Sequence, residues 1–386
     1  MNCKVHLILL TYLLFLAPYA FSQEIIIPDR WKIEPVRQIF PDDTLTIRIF
    51  GDLMMHTNQI DNAARADGTH DFSPYFTHIQ KYLDDSDLNI GNMEFTLAGK
   101  PYTGYPAFSA PDEYARHIAR CGFDIFLTAN NHICDKNSAG MSRTLKIYRE
   151  LAQSDSILFT GTAGTQEEFE ETTPLIVLRK GVKLAMVNAT YGTNISSEKS
   201  WPKTNYLYEK DMLKKALQKA KENADIVIAF AHWGEEYKLI HHSRQESEAR
   251  WLAQNGADII IGAHPHVVQD TGVIEVKDET AEGGIKRVPV VYSLGNAISN
   301  MSAENTQIEL MATLKIVKKH NGTISHLPIE FTYIWSSRPG GYCNHYTMLP
   351  VKEQLGKSDK WIGKWEYDKM VGTYNRVKST TKVKDN

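Results

Sequence analysis

The chain of 386 residues is poor in cysteine and has no long run of basic residues. None of its four cysteines belongs to a C-x-x-C pair, which argues against a zinc–thiolate site. The formal net charge of −3 leaves no electrostatic footprint for nucleic acid, so we expect no nucleic-acid partner. G-x-S-x-G, Walker A and G-x-G-x-x-G motifs are also missing, which removes support for nucleophile-elbow, P-loop and Rossmann sites.

The first 22 residues have the pattern of a secretory signal peptide. A short, weakly basic start precedes an apolar run over residues 5–17, and small residues stand just before Gln23. The run is shorter than the roughly 20 residues of a membrane span, with an uncleaved anchor as the alternative. No second run approaches that length, so we expect a soluble, exported protein, periplasmic or at the cell surface. Three cysteines would remain after cleavage, an odd number that argues against a disulfide framework but leaves one bridge open.

The remainder of the chain divides into three parts. Residues 23–44 carry three prolines among mixed residues and are predicted to be a linker or a strap. Strand and helix patterns alternate from residue 45 onward, and later alternating patterns indicate antiparallel strands. We predict an α/β domain over residues 45–335, in which the C-terminal strands form a second sheet that packs on the first as a sandwich, and an extension over residues 336–386. The lysine-rich end from Lys378 onward is expected to be frayed.

The strongest single signal is the stretch IIIGAHPHVV at residues 259–268. Its apolar, β-branched start predicts a buried strand that breaks at Gly262 and delivers His264 and His266 at its carboxyl end. Ligands of open α/β sheets lie at that edge, and two imidazoles on one loop can hold a metal ion. A surface loop that happens to carry two histidines is the alternative for this stretch alone.

Other predicted strands end in residues of the same chemical kind. Asp52, Glu94, His232 and the pair Asn131 and His132 each follow such a strand. Turn or capping chemistry would explain any one of them alone, but the carboxyl ends of parallel strands converge on one crevice. Two cations about 4 Å apart would there activate a water and hold both ends of an in-line displacement. His132 is better placed as a general acid or hydrogen-bond donor, and the lack of cysteine favours Mn, Fe or Zn, one or two ions.

Six motifs occur in order over residues 45–300. They are Gly51-Asp52, Asn92-Met93-Glu94, Ala129-Asn130-Asn131-His132 with Asp135, His232-Trp233-Gly234 with Glu236-Tyr237, Gly262-Ala263-His264-Pro265-His266-Val267, and Tyr292-Ser293-Leu294-Gly295-Asn296. Together they closely resemble the bacterial capsule-synthesis CapA family, the PgsA-like poly-γ-glutamate proteins. That family looks like a branch of the calcineurin-like metallophosphatase superfamily. The resemblance implies a metallophosphatase-like sandwich of two mixed β-sheets flanked by helices.

The resemblance also implies roles for individual residues. The implied metal ligands are Asp52, Glu94, Asn131, His232, His264 and His266. His132 resembles the catalytic histidine, and Glu94 stands where a bridging carboxylate is expected. The candidate substrate-binding residues are Asn130, Trp233, Glu236 and Asn296. One departure is Met54, which stands where the superfamily usually has a histidine; His56, two positions further on, is a weak candidate to replace it.

Three functions follow from these observations. The leading hypothesis is an exported, metal-dependent phosphoester hydrolase in the biosynthesis of a capsule or a poly-γ-glutamate-like surface polymer. Its partners would be that polymer or its precursor and membrane-bound synthesis machinery. Met54 favours a second hypothesis, a non-catalytic polymer-binding or export module with a vestigial metal site. The third is a peptidase or amidase that acts on γ-glutamyl links.

Overall fold

The computed structural model describes residues 43–196, 201–279 and 281–386. The predicted signal peptide and strap lie outside the described residues, except for residues 43 and 44, which begin the first strand. Within the described ranges, none of the helices combines the length and the apolar character of a membrane span. The three cysteines in these ranges, Cys121, Cys134 and Cys343, are free thiols.

The secondary structure alternates strands with helices through most of the described chain. The strands are β1 (Asp43–Leu53), β2 (Leu88–Met93), β3 (Ile125–Leu127), β4 (Leu158–Thr160), β5 (Thr162–Ala163), β6 (Leu175–Arg179), β7 (Val182–Thr190), β8 (Lys203–Thr204), β9 (Ile226–His232), β10 (Ile259–Ala263), β11 (Thr271–Lys277), β12 (Ile285–Val291), β13 (Ile308–Lys318), β14 (Ile324–His326), β15 (Glu330–Ser337) and β16 (Thr347–Pro350). The α-helices are α1 (Thr57–Ala63), α2 (Gln80–Asp84), α3 (Asp112–Arg120), α4 (Asn137–Ser154), α5 (Gln166–Thr172), α6 (Lys210–Asn223), α7 (Ser243–Gln254), α8 (Val351–Gln354) and α9 (Lys364–Thr381).

Two large sheets, both mixed, organise these elements. The first follows the order β16-β15-β13-β1-β2-β3-β4 and pairs β14 with β13, while the second follows the order β11-β12-β10-β9-β7-β6. Strands β1 to β4 are parallel, as are β7, β9, β10 and β12, and antiparallel strands complete both sheets. The prediction of two mixed sheets flanked by helices is therefore confirmed. The prediction that the C-terminal strands form the second sheet was wrong, because β13, β15 and β16 pair in succession onto β1 of the first sheet.

Side-chain alternation explains why the sheets pack as a sandwich. Along β1, Leu45, Ile47 and Ile49 enter the core between the sheets, whereas Phe50 packs on the opposite face with the helices. Helices α1, α3 and α4 cover the outer face of the first sheet, and α6 and α7 cover that of the second. Strand β9 is buried along its whole length because both of its faces are covered. The structure therefore has four layers, two sheets in the middle and a layer of helices on each outer face.

The carboxyl-terminal residues belong to the same compact unit as the sandwich. Strand β16 extends the first sheet by pairing with β15, and α9 places Met370, Tyr374 and Val377 in the core between the sheets. The prediction of a frayed end from Lys378 was wrong, because α9 continues through this residue and Val383 is buried. The apolar residues of α9 recur at helical spacing, so one face packs while its lysines remain at the surface.

Candidate metal centre

The candidate centre lies where the carboxyl ends of both sets of parallel strands meet. Strands β1, β2 and β3 approach it from the first sheet, and β9, β10 and β12 approach it from the second. The backbone of Asp52 joins the two edges, since its N–H donates to Gly295 O at 3.0 Å and its carbonyl accepts from Ala297 N at 3.0 Å. A Cβ at Gly51 would stand 1.9 Å from Gly295 O, so this approach requires glycine.

Two groups of buried donor atoms share one carboxylate. Asp52, Glu94 and His232 form one group and Glu94, His264 and His266 the other, with the donor atoms of each group within 4.8 Å of one another. Neither carboxylate oxygen of Glu94 has a hydrogen-bond partner, and Nδ1 of His264 is also buried without one. Buried polar atoms are nearly always paired, so these atoms point to a missing partner that accepts their lone pairs. The oxygen and nitrogen donors fit one or two divalent cations.

Four further contacts orient the donor atoms. Nε2 of His232 lies 2.7 Å from Oδ1 of Asn131 and 3.5 Å from Oε1 of Glu94, so three donor atoms converge. Nδ1 of His266 donates to Oδ1 of Asn296 at 2.9 Å, which leaves Nε2 facing Oε1 of Glu94 at 3.8 Å. The six predicted ligands are thus brought together, while their role as ligands stays a prediction.

The loop after β10 holds its histidines in an uncommon backbone conformation. His264 and His266 have φ angles of 96° and 58°, in the left-handed region that β-carbons disfavour. The N–H of His264 donates to Oδ2 of Asp52 at 3.2 Å, and the carbonyl of Pro265 accepts from Tyr237 N at 2.9 Å. Strain of this kind persists only where the surroundings over-determine it, which is common at functional sites.

Burial sets the protonation of the centre. It lowers the pKa of His232 to about 3 and holds that of His264 well below its ordinary value, so both imidazoles are neutral at pH 7. Burial, together with the charge of Asp52, raises the pKa of Glu94 well above its usual range. Burial also acts to raise the pKa of Asp52, but the hydrogen bond with His266, the electrostatic interactions with His232 and His266 and the hydrogen bond from Asn92 together outweigh it, so the net pKa is lowered. Neutral imidazoles beside two carboxyl groups suit a cation.

His132 belongs to a separate hydrogen-bonded pair beside the donor groups. Its Nδ1 lies 2.6 Å from Oδ2 of Asp135, and this oxygen also accepts from the N–H of Phe108 at 2.9 Å. The Phe108 ring packs edge-on against the imidazole with centroids 4.5 Å apart. With Nδ1 donating to Asp135, Nε2 is the atom available for proton transfer. This arrangement suits the general-acid role expected for His132.

Neither Met54 nor His56 supplies the histidine that the superfamily pattern leads one to expect. Met54 is buried among apolar side chains outside the first sheet. His56 precedes α1 as its N-cap, and its Nδ1 accepts a hydrogen bond from Asn300 N at 3.3 Å. Among the described residues, both donor groups form without it. The weak candidacy of His56 as a replacement ligand therefore receives no support.

Three of the four predicted substrate-binding residues are buried, and their contact with a substrate stays a prediction. Asn130 donates to Met93 O at 2.8 Å, Trp233 donates to Tyr292 O at 2.9 Å, and Asn296 positions His266. These hydrogen bonds support the loops of the centre. Glu236 is exposed and remains a candidate contact.

Sequence reasoning assigned no role to three residues of the centre. Asn92 donates to Oδ1 of Asp52 at 2.7 Å and lies 3.3 Å from Nδ1 of His232. Asp135 orients His132, and the Tyr191 ring covers His264 with centroids 4.5 Å apart. Asn92 and Asp135 belong to two of the six sequence motifs, and this membership could have marked them as candidate residues of the centre. Nothing in the sequence distinguishes Tyr191 from the other tyrosines.

The family model described as bacterial capsule synthesis protein PGA_cap matches residues 46–301, which contain the whole centre. The capsule biosynthesis protein CapA of Bacillus anthracis is 29% identical over 297 residues, covering 73% of this chain and 66% of that protein, so about a third of that relative lies outside the match. The PGA biosynthesis protein CapA of Bacillus subtilis (strain 168) is 26% identical over 311 residues, covering 77% and 74%.

Two solved structures are similar at a lower level. The NAD nucleotidase of Haemophilus influenzae has 15% identity and a TM-score of 0.45, covering 88% of this chain and 68% of that one. The 5'-nucleotidase of Candida albicans has 12% identity and a TM-score of 0.40, covering 88% and 60%. The family match extends over more than half of the chain and includes all six motifs. The chain therefore belongs to the bacterial capsule synthesis protein PGA_cap family.

Proposed function

We propose that the chain is a metal-dependent phosphoester hydrolase that acts on a capsule-type surface polymer or its precursor. The observation that carries this proposal is the pair of donor groups that share Glu94, whose two buried carboxylate oxygens lack hydrogen-bond partners. A shared carboxylate between two sets of nitrogen and oxygen donors suits a pair of closely spaced metal ions, as two-metal hydrolysis uses. Membership of a capsule-synthesis family supplies the biological setting.

The residues of the centre have two proposed roles, metal binding and proton transfer. Mn, Fe or Zn ions, when bound, supply Lewis-acid activation and charge neutralisation at the reacting phosphoryl group. Asp52, Glu94, Asn131 and the histidines of the second sheet would hold such ions, and Asn296 fixes the ring of His266. His132 delivers a proton from Nε2 to the leaving oxygen, while Asp135 keeps Nδ1 protonated and the ring in place.

Export completes the proposal. The apolar amino-terminal segment and the small residues before Gln23 support cleavage at that point and a periplasmic or cell-surface location. The surface polymer and the membrane-bound synthesis machinery are the proposed partners. Fractionation of cells that express the full chain, with amino-terminal sequencing of the exported form, tests this part. A mature protein that begins at Gln23 is expected, and retention of the intact chain in the cytoplasm would contradict export.

The hydrolase proposal is tested by metal analysis together with turnover. Purified protein should contain divalent metal and hydrolyse a generic phosphodiester or phosphomonoester when Mn is added. Asp135→Asn should retain the metal but lower kcat by about 100-fold or more, because His132 loses the partner that fixes its tautomer. His264→Ala should lose both metal and turnover. Protein without bound metal and without activity in Mn would refute the proposal.

A second candidate function is favoured by Met54 and His56. The expected histidine is replaced by a core methionine, and His56 caps a helix, so one metal position has fewer ligands. A non-catalytic polymer-binding or export module with a vestigial metal site is consistent with that loss. Metal bound without turnover of any ester, together with loss of surface polymer on deletion of the gene, would support this alternative. Hydrolysis of a γ-glutamyl peptide would instead identify an amidase.

A further inference from the structure

The loop that follows β7 connects the two sheets at the candidate centre. At the start of this loop, Tyr191 N donates to the carbonyl of His232 at 2.8 Å. Three residues later, Asn194 N donates to the carbonyl of Asn131 at 2.8 Å, in the loop that follows β3. Asn194 is exposed, and its side chain contacts the ring of His132. The loop therefore brings a polar side chain that faces solvent next to the proposed proton donor.

The side-chain amide of Asn194 has a defined orientation. Its Oδ1 accepts a hydrogen bond from Nδ2 of Asn131 at 3.4 Å, while Oδ1 of Asn131 lies 2.7 Å from Nε2 of His232. Because Oδ1 of Asn194 is used in this way, its Nδ2 faces His132, at 3.3 Å from Nδ1 and 3.4 Å from Nε2. An amide nitrogen donates hydrogen bonds and accepts none. Asn194 therefore presents a hydrogen-bond donor beside the proton-transfer atom.

Two donors meet at this place in the proposed reaction. His132 donates from Nδ1 to Asp135 and delivers a proton from Nε2, so neither ring nitrogen accepts from Asn194 before the transfer. Within the described ranges, Nδ2 of Asn194 has no hydrogen-bond partner other than this ring. Two neighbouring donors are satisfied by a ligand that carries more than one acceptor. A phosphoester is such a ligand, because its leaving oxygen and its nonbridging oxygens all accept.

We propose that Asn194 binds the substrate by donating from Nδ2 to a nonbridging oxygen of the phosphoryl group whose leaving oxygen receives the proton of His132. This inference rests on the proposed function of the centre as a phosphoester hydrolase. Asn194 exchanges no proton: the bond from phosphorus to the leaving oxygen breaks, and that oxygen takes the proton from Nε2. Water supplies the new hydroxyl group on phosphorus and the proton that returns to His132. The amide stabilises the charge that the nonbridging oxygens carry during this step.

Orthophosphate binding and ester turnover by the full-length protein test this contact. Asn194→Ala keeps the backbone N–H that bonds to Asn131. With saturating Mn, this variant should bind orthophosphate about tenfold more weakly and hydrolyse a phosphodiester with a kcat about 100-fold lower, because one fixed donor to the reacting group is lost. Asn194→Asp should be impaired at least as much, since a charged acceptor replaces the donor.

Asn321→Ala is the matched control for loss of an exposed asparagine side chain. Asn321 lies in the turn between β13 and β14, where its Oδ1 accepts from Thr323 N at 2.9 Å. Its removal deletes a hydrogen-bonded amide that belongs to neither donor group and does not contact His132. Orthophosphate affinity and kcat should therefore equal those of the wild type.

Metal affinity separates substrate binding from a purely structural role of Asn194. Asn194→Ala should keep its Mn affinity within about threefold of the wild type, because the 3.4 Å bond to Asn131 is long and the backbone bond remains. Orthophosphate binding requires no turnover, so a protein that binds Mn and orthophosphate but cleaves no ester would contradict the hydrolase proposal alone. A loss confined to Mn affinity, equal orthophosphate affinity in Asn194→Ala and the wild type, or no orthophosphate binding by the wild type in Mn would overturn the inference.

Discussion

The two sheets supply chemically different atoms to the same centre. The first sheet contributes the oxygen donors Asp52, near the end of β1, and Glu94 and Asn131, which follow β2 and β3. The second contributes only imidazoles, which follow or end β9 and β10. Each of the two donor groups combines residues of both sheets. The site therefore exists only where the two carboxyl edges are joined.

The two carboxyl groups of the first sheet also differ from each other. Burial acts to raise the pKa of Asp52, but a hydrogen bond and electrostatic interactions with His266 and His232 of the second sheet, together with a hydrogen bond from Asn92, lower it overall. Neither carboxylate oxygen of Glu94 has a hydrogen-bond partner, and burial raises its pKa well above the ordinary value. Contact with the second sheet thus helps to stabilise Asp52 as an anion. The carboxyl group of Glu94 is stabilised in its neutral form unless a cation binds beside it.

The largest effect is expected from removing the oxygen donor that both groups share. Glu94→Gln should lower the affinity for divalent metal by about 100-fold or more and abolish turnover, because both groups lose their common carboxylate. Isothermal titration with Mn on chelator-treated protein measures this effect. Glu309→Gln is the matched control, since Glu309 is equally buried but belongs to neither donor group. Equal metal affinity in the two variants would contradict the shared role of Glu94.

A second prediction concerns the stability cost of Glu309 in β13. Burial raises its pKa from the ordinary 4.5 to about 8. The unfolded chain therefore binds fewer protons than the folded protein between these values, and stability falls as the pH rises through this window. Glu309→Gln should match the wild type near pH 4 and exceed it by up to about 5 kcal/mol at pH 8, at 1.36 kcal/mol per pKa unit.

Urea unfolding of metal-free protein at a series of pH values measures the difference. The exposed Glu222→Gln serves as the control and should give a constant difference from the wild type across the series. A constant difference for Glu309→Gln as well would show that the carboxyl group carries no pH-dependent cost.

The close packing at the carboxyl edge of the second sheet is tested by adding one methyl group. A Cβ at Gly262 in β10 would lie 2.0 Å from Tyr292 O and 2.5 Å from Nε1 of Trp233. Gly262→Ala should therefore destabilise the fold by about 3 kcal/mol, because backbone must move to make room. Gly372→Ala in α9 meets no atom within 4 Å and should be neutral or stabilising. Thermal unfolding of both variants measures the difference. Equal unfolding midpoints would show that the space beside Gly262 does not require glycine.

The smallest effect is expected at a residue that orients a donor without being one. Asn296→Ala removes the partner of Nδ1 of His266 and should weaken metal affinity by about tenfold. Asn205→Ala is a control for lost buried hydrogen bonds, because Asn205 pairs with Thr173 and with the carbonyl of Asn188, outside the donor groups. Both variants should lose stability, and only Asn296→Ala should lose metal affinity. Unchanged affinity in Asn296→Ala would place it outside the centre.

The sequence was most informative where apolar runs stop at polar residues. The run before His264 and the run before His232 each predicted a buried strand, and β10 and β9 occupy these positions. Strand patterning of this kind depends on which faces are buried, which is a local property of the chain. The six ordered motifs were equally local, and the family that they implied is confirmed by the match over residues 46–301.

Long-range contacts account for what sequence reasoning missed. Nothing near Asn296 in the sequence indicates that its side chain accepts a hydrogen bond from His266, 30 positions away. The many lysines near the carboxyl terminus suggested a solvated end. The apolar face of α9 was recognised only when the structure showed it packed in the core between the sheets. Tyr191 became conspicuous only once its ring was found over His264. Each contact joins residues that are remote along the chain.

The sequence by itself determined the strands, the residues at their ends and the family to which the chain belongs. It did so because the periodicity of buried residues and the residues of each motif are local features of the sequence. Only the tertiary structure decided that oxygen donors and imidazoles face each other, since that depends on how two separate sheets pack. The same packing left both carboxylate oxygens of Glu94 without hydrogen-bond partners and placed the ring of Tyr191 over His264. The candidate metal ligands could therefore be identified from the sequence, whereas their arrangement into one centre depends on the fold.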